Sequence, residues 1–203
     1  MVLLLDSGRF ETFIDAIFAI MMTIMVIKIP QPETLSLSGL MESSVMYLSY
    51  LISFIIIASI WNNHRKLFDR IKDIDNVVIA IYMVLTLAVT FVPYFTLWVS
   101  EYPYSLVPEL CYGLLFVITN ILYMLASHIA VTRDNYNYNN NNLDAFRYVR
   151  LNLLIYLVFI VGFILGIFIN PIAILIACLV TAIIWNLPFK YLNTCEKGDV
   201  DGH

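Results

Sequence analysis

The chain has 203 residues, of which 61% are hydrophobic and only 13% charged, with a mean hydropathy of +0.85. A soluble domain of that length has too little interior to hide so much apolar surface, so the composition specifies an integral membrane protein. A formal net charge of −4 argues against a nucleic-acid partner. Cys111, Cys178 and Cys195 are an odd set without a C-x-x-C pair, and they support neither a disulfide framework nor a thiolate metal site.

In chain order, Met1-Val2-Leu3-Leu4-Leu5 is too short an apolar run for a cleavable signal peptide, and no small-residue cleavage site follows it. The first apolar helix is therefore read as a retained span. A bilayer core needs roughly 20 apolar residues per helix. Six segments qualify, at about residues 10–29, 43–61, 77–99, 106–131, 148–169 and 171–187, which predicts a single all-α six-span unit over residues 1–203. Pro30 and Pro32 end the first span, Tyr102-Pro103 and Pro108 bracket the turn after the third, and Asn170-Pro171 joins the last two in a tight hairpin. Leu67, Phe68, Ile71 and Ile74 keep a helical period past the second span, which predicts that spans two and three extend beyond the membrane. The segment 132–147, with Asn135, Asn137 and Asn139-Asn140-Asn141-Asn142, reads as a flexible polar loop.

Cations set the orientation. Arg9, then Arg65, Lys66, Arg70 and Lys72, then Arg133, Arg147 and Arg150, then Lys190 and Lys197 fall on one side of the six spans. Lys28 stands on the other with Glu33, Glu42, Glu101 and Glu109. Both termini are therefore predicted to be cytoplasmic.

The motifs of hydrolytic and nucleotide chemistry are missing. His64, His128 and His203 belong to no H-E-x-x-H pattern, and no G-x-S-x-G, phosphate-loop or dinucleotide glycine pattern occurs, so the chain is not read as an enzyme. Spans three to six carry no charge in their apolar middles, and neither broken helices nor paired intramembrane carboxylates are evident, as a proton-coupled transporter would require. The Thr-Val-Gly-Tyr-Gly filter of ordinary potassium channels is absent as well.

The first helix carries the densest signal. At about 100° per residue, Phe13, Ala16, Ile17, Ile20, Thr23, Ile24 and Ile27 share one face, and Asp15 points nearly opposite to Ile20. The carboxylate is thus expected to contact neighbouring helices, while the Ile/Thr stripe faces lipid, core or a water path. Arg9 and Asp15, with Trp61 and His64 three residues apart on the second span, all lie near the cytoplasmic interface and are expected to form one polar cluster.

Two blocks carry a family resemblance. The first is Arg9-x-x-x-Phe13-x-Asp15 opening an aliphatic span. The second is Ser53-Phe54, then Trp61-x-x-His64, then Asp75 and Pro93. Together they resemble, over about the first half of the chain, the potassium-channel family whose animal member is the lysosomal transmembrane protein 175. The chain departs from that pattern at Ile14, where members usually place a serine or threonine, and this bears on the packing around Asp15. The resemblance implies a homotetramer in which first helices surround the conduction axis. Ile20, Ile24 and Ile27 would then form a hydrophobic gate and Thr23 the ring that gives modest K⁺ over Na⁺ selectivity. It implies permeant K⁺ and other monovalent cations, no cofactor, and a multi-pass location in a prokaryotic plasma membrane. The rival readings are a small secondary transporter and a non-conducting membrane scaffold.

Overall fold

A computed structural model describes residues 5–29, 31–32, 34–69, 73–133 and 142–186. In chain order these form β1 (Leu5–Asp6), α1 (Ser7–Ile27), α2 (Leu37–Glu42), α3 (Ser44–Phe68), β2 (Asp73–Ile74), α4 (Asn76–Thr90), α5 (Val92–Glu101), α6 (Leu106–Arg133), α7 (Asn142–Phe168) and α8 (Ile172–Asn186). Apart from a two-residue antiparallel pairing of β1 with β2, with Leu5 opposite Ile74, the described chain is helical. Five helical stretches are long and apolar enough to cross a bilayer: Gly8–Ile27, Ser44–Phe68, Asn76–Glu101, Leu106–Ala130 and Leu151–Phe168. The sixth apolar helix, α8, has 15 residues, or about 22 Å of length, short of the roughly 30 Å hydrocarbon core. Most of the asparagine-rich loop (134–141) and the segment with Lys190 and Lys197 lie outside the described residues, while 142–147, predicted as loop, belong to α7.

As the periodicity predicts, α3 runs on to Phe68, past the apolar part of the span, but the helical period does not reach Ile74, which lies in β2, and Ile71 lies outside the described residues. The third span differs from its predicted unbroken form. Pro93 stands in the first turn of α5, has no N–H to give the Val89 carbonyl, and crowds the turn before it. The helix kinks without unwinding: only Phe91 separates α4 from α5, its N–H bonds the Ala88 carbonyl at 3.1 Å, and its own carbonyl accepts the Phe95 N–H at 3.1 Å. Asp75 caps the start of α4 through the Val77 N–H.

Helix α3 is the hub, packing against α1, α5 and α8, while α4 lies on α6 and α7 on α8. The larger core joins Ile14 and Phe18 of α1 to Ile57 and Ile60 of α3, Phe116 of α6 and Cys178 of α8. A smaller cluster of Phe68, Ile74, Tyr82 and Tyr123 closes the end where β1 meets β2. Lipid tails are as apolar as leucine, so burial alone binds these helices weakly; close fit and inter-helix hydrogen bonds must hold them. Glu109, expected at the outer surface, is fully buried in the first turn of α6, its carboxylate without a hydrogen-bond partner among the described residues. The positive end of α6 offsets part of the cost of that placement.

The α7–α8 hairpin shows how close fit is reached. Asn170 turns the chain, its Oδ1 accepting the Ile172 N–H at 3.1 Å. Gly162 and Gly166, one turn apart on α7, lie against Ala177 and Ile174 of α8 so closely that a Cβ at Gly166 would sit 2.5 Å from Ile174 Cγ1. This small-xxx-small seam lets the backbones approach. Gly166→Val is therefore expected to lower stability by about 1–3 kcal/mol through overpacking. Thermal unfolding in mild detergent checks this, with Ile160→Leu on the exposed face of α7 as an unaffected control.

Candidate functional site

The two faces of α1 are chemically distinct. Ile14, Phe18 and Met25 are buried against the body of the subunit. Thr12, Phe13, Ala16, Ala19, Ile20, Thr23, Val26 and Ile27 are exposed, with Ile20 at 50% and Ile27 at 77%. The exposed arc is rotated slightly from the predicted stripe: Ile17 and Ile24 lie at its margin and are half-buried, and Thr23 sits close to its middle. The rotation arises because α1 packs on α3, α4 and α5 together, and the flank that bears Ile17 and Ile24 is partly covered. The Thr23 hydroxyl lies 2.9 Å from the Ile20 carbonyl and 3.2 Å from that of Ala19. Its single hydrogen is thus donated within the helix, and the oxygen lone pairs remain for the exposed side.

At the other side of α1, Asp15 Oδ1 accepts a hydrogen bond of 2.9 Å from Trp61 Nε1 of α3. His64, one turn further along α3, places Nε2 at 3.9 Å from the same oxygen. Helical spacing of Trp61 and His64 on one face of α3 makes this convergence possible. Asp15 is 39% exposed and His64 fully buried. The imidazole is enclosed by aromatic rings, with centroids at 4.3 Å for Phe68, 5.2 Å for Tyr82 and 6.0 Å for Phe18. Phe10 extends the stack, 6.1 Å from both Phe68 and Tyr82. Neither imidazole nitrogen has a hydrogen-bond partner among the described residues, so the ring serves here as packing between α1, α3 and α4.

Arg9 does not join this group. It is exposed and has no hydrogen bond or ion pair among the described residues. The cation beside the cluster is Arg65, whose guanidinium carbon lies 5.8 Å from the Trp61 ring centroid. Ile14, where the sequence departs from the family pattern, is fully buried in the core next to Asp15, so an aliphatic contact occupies the place of a hydroxyl. Sequence reasoning also passed over the aromatic cage. Its only signal is a concentration of aromatics near the start of α1, the end of α3 and the start of α4. Among the described residues, no group of three or more His, Cys, Asp or Glu side chains gathers to hold a metal.

Removing one side of the Asp15–Trp61 bond leaves its partner poorly satisfied. Trp61→Phe and Asp15→Ala are each expected to destabilise the folded protein by about 1–3 kcal/mol. Arg9→Ala should stay within about 0.5 kcal/mol, as for an exposed side chain. Thermal unfolding of the three variants in detergent, with assembly followed by size-exclusion chromatography, gives the comparison.

With this geometry in view, comparison with known proteins assigns the family. Residues 9–93 match the family described as endosomal/lysosomal potassium channel TMEM175. A potassium channel of a Chryseobacterium species is 26% identical over 193 residues, covering 95% of this chain and 99% of its own length. A potassium channel of Chamaesiphon minutus is 33% identical over 138 residues, covering 64% of this chain and 68% of its own. The crystal structure of a lysosomal potassium-selective channel TMEM175 homolog from Chamaesiphon minutus superimposes with a TM-score of 0.72 at 29% identity, covering 88% of this chain and 95% of that one. The matched region begins at Arg9 and ends at Pro93, and so takes in both sequence blocks and the whole α1–α3 contact. This chain is a member of the TMEM175 family.

Proposed function

We propose that this protein is a potassium-permeable cation channel whose path runs along the exposed face of α1, at the axis of a homotetramer. The observation that carries the reading is the contrast between α1 and α7. The outward side of α7 is built of large aliphatics such as Leu153, Leu157, Ile160 and Ile164, as suits lipid. The outward side of α1 interleaves Thr12, Ala16, Ala19 and Thr23 with the larger Phe13, Ile20, Val26 and Ile27. Small and hydroxyl-bearing residues belong where helices meet one another or water. The bacterial relatives named as potassium channels support K⁺ as the permeant ion.

In the assembled channel, Ile20 and Ile27 form aliphatic rings, with Ile24 at their flank. A narrow apolar neck loses its water and excludes hydrated ions until the helices tilt or rotate to widen it. Between the rings, four Thr23 oxygens present lone pairs to a partly hydrated cation. A ring of hydroxyls replaces less of the hydration shell than a stack of backbone carbonyls does, so the preference for K⁺ over Na⁺ is modest. The cation distribution supports cytoplasmic termini, with the Asp15–Trp61 contact at the inner end of the span, and the bacterial relatives support a prokaryotic plasma membrane.

The kink at Phe91 is the one observation that favours a transporter, whose sites form at interrupted helices. Only one residue breaks the helix there, and Pro93 accounts for it. Nor do paired carboxylates gather at the kink among the described residues. The channel reading is therefore preferred.

Two substitutions test the path. Ile20→Asn is expected to raise basal K⁺ flux several-fold by easing wetting of the neck. Thr23→Val is expected to lower the K⁺/Na⁺ ratio by roughly two- to tenfold, the scale of one lost polar contact. Flux into liposomes with wild type, each variant or no protein decides the matter. Unchanged rate and ion ratio in both variants would remove α1 from the conduction path.

A further inference from the structure

The outer half of the subunit contains a buried hydroxyl chain that crosses three helices. Tyr112 of α6 and Ser53 of α3, both fully buried, meet at 2.7 Å between their oxygens. Ser53 Oγ lies 2.8 Å from Thr96 Oγ1 of α5, and Thr96 Oγ1 lies 2.7 Å from the Val92 carbonyl. Thr96 is placed to donate to Ser53 or to the Val92 carbonyl, and Ser53 and Tyr112 can donate to each other in either direction. In an apolar interior such a completed chain is costly to break, because each orphaned hydroxyl keeps its desolvation penalty.

The chain ends against α1. Thr96 Oγ1 is 4.0 Å from Sδ of Met25, the buried residue of α1 that lies two positions after Thr23. Val92 directly precedes Pro93, so the backbone carbonyl within reach of the Thr96 hydroxyl lies at the α4–α5 break. Beside this contact, a cavity of about 20 Å³ is lined by Met25 of α1, by Lys28 and Ile29 just after it, and by Tyr50, Pro93 and Leu97. The end of α1 thus meets the hydroxyl chain on one side and a small unfilled space on another.

We infer that Thr96, Ser53 and Tyr112 are positioning residues for the conduction helix: they hold the kinked α5 at a fixed depth against Met25 and so set the rotation of α1 that points Thr23 outward. This rests on the channel reading only for its effect on ions. The mechanical claim concerns α1 itself and is measurable without conduction.

The test uses Thr96→Val, which keeps shape and deletes the hydroxyl, together with Ser53→Ala and Tyr112→Phe. In a background where Cys111, Cys178 and Cys195 are replaced by serine, thiols introduced by Thr23→Cys or Ile24→Cys report the rotation through their rates of modification by a water-soluble thiosulfonate. With the chain intact, the thiol at position 23 reacts faster than the one at position 24. Thr96→Val is expected to reduce that rate ratio by roughly two- to tenfold, the population change that one hydrogen bond supports. Ser53→Ala and Tyr112→Phe should move it the same way. Liposome K⁺/Na⁺ ratios run in parallel, and Thr96→Val should lower the ratio in wild type but add nothing to Thr23→Val. Rate ratios unchanged in all three variants, in protein that still assembles, would overturn the inference. A shifted rate ratio with unaltered ion preference in every variant, Thr23→Val included, would uphold the positioning role and overturn the channel path instead.

Discussion

A hydrogen bond between Trp61 Nε1 and Asp15 Oδ1 ties α1 to α3, and the packing of α1 on the rest of the subunit builds on that tie. In a bilayer, helices gain little from burying apolar faces on one another, because the lipid offers the same surroundings. A polar pair at the edge of the apolar zone does discriminate, since separating its members leaves an indole N–H and a carboxylate without partners. Once Asp15 is held to α3, helical geometry directs Ile14, Phe18 and Met25 inward and leaves Thr12, Ala16, Ile20 and Thr23 outside.

The two ends of α1 are held by different physics. Near its start, the Asp15–Trp61 bond is backed by a stack of Phe10, Phe18, His64, Phe68 and Tyr82, and the short β1–β2 pairing ties the preceding residues to the α3–α4 connection. Near its end, Met25 of α1 meets Thr96 of α5 next to a small cavity. A flexible thioether fills irregular space and tolerates small displacements better than a branched side chain does.

The remaining helices form a scaffold whose tolerance differs from place to place. Gly162 and Gly166 allow α7 to lie directly on α8, and any side chain there would drive the pair apart. Glu109, buried in the first turn of α6, the helix that also bears Tyr112, is a polar group placed where packing dominates. By contrast, the outer face of α7 is a plain aliphatic surface whose members are interchangeable as far as lipid is concerned.

Much of this was legible from residue order. Membrane character, the positions of the apolar helices and the extension of the second span beyond Trp61 follow from hydropathy and period, which are local properties. The family is legible in Arg9, Phe13 and Asp15 with Trp61 and His64, and the opposition of Asp15 to Ile20 follows from helical rotation alone. What the order of residues left open is partner choice between helices far apart in sequence. Arg65 rather than Arg9 stands over Trp61, His64 is sealed among rings, Glu109 turns inward, and Ser53, Thr96 and Tyr112 find one another across three helices. Each of these depends on the relative rotation and depth of packed helices. Those are fixed by the sum of many close contacts, and no single segment contains them. The sequence determined which faces each helix has; only the tertiary structure decided which faces meet.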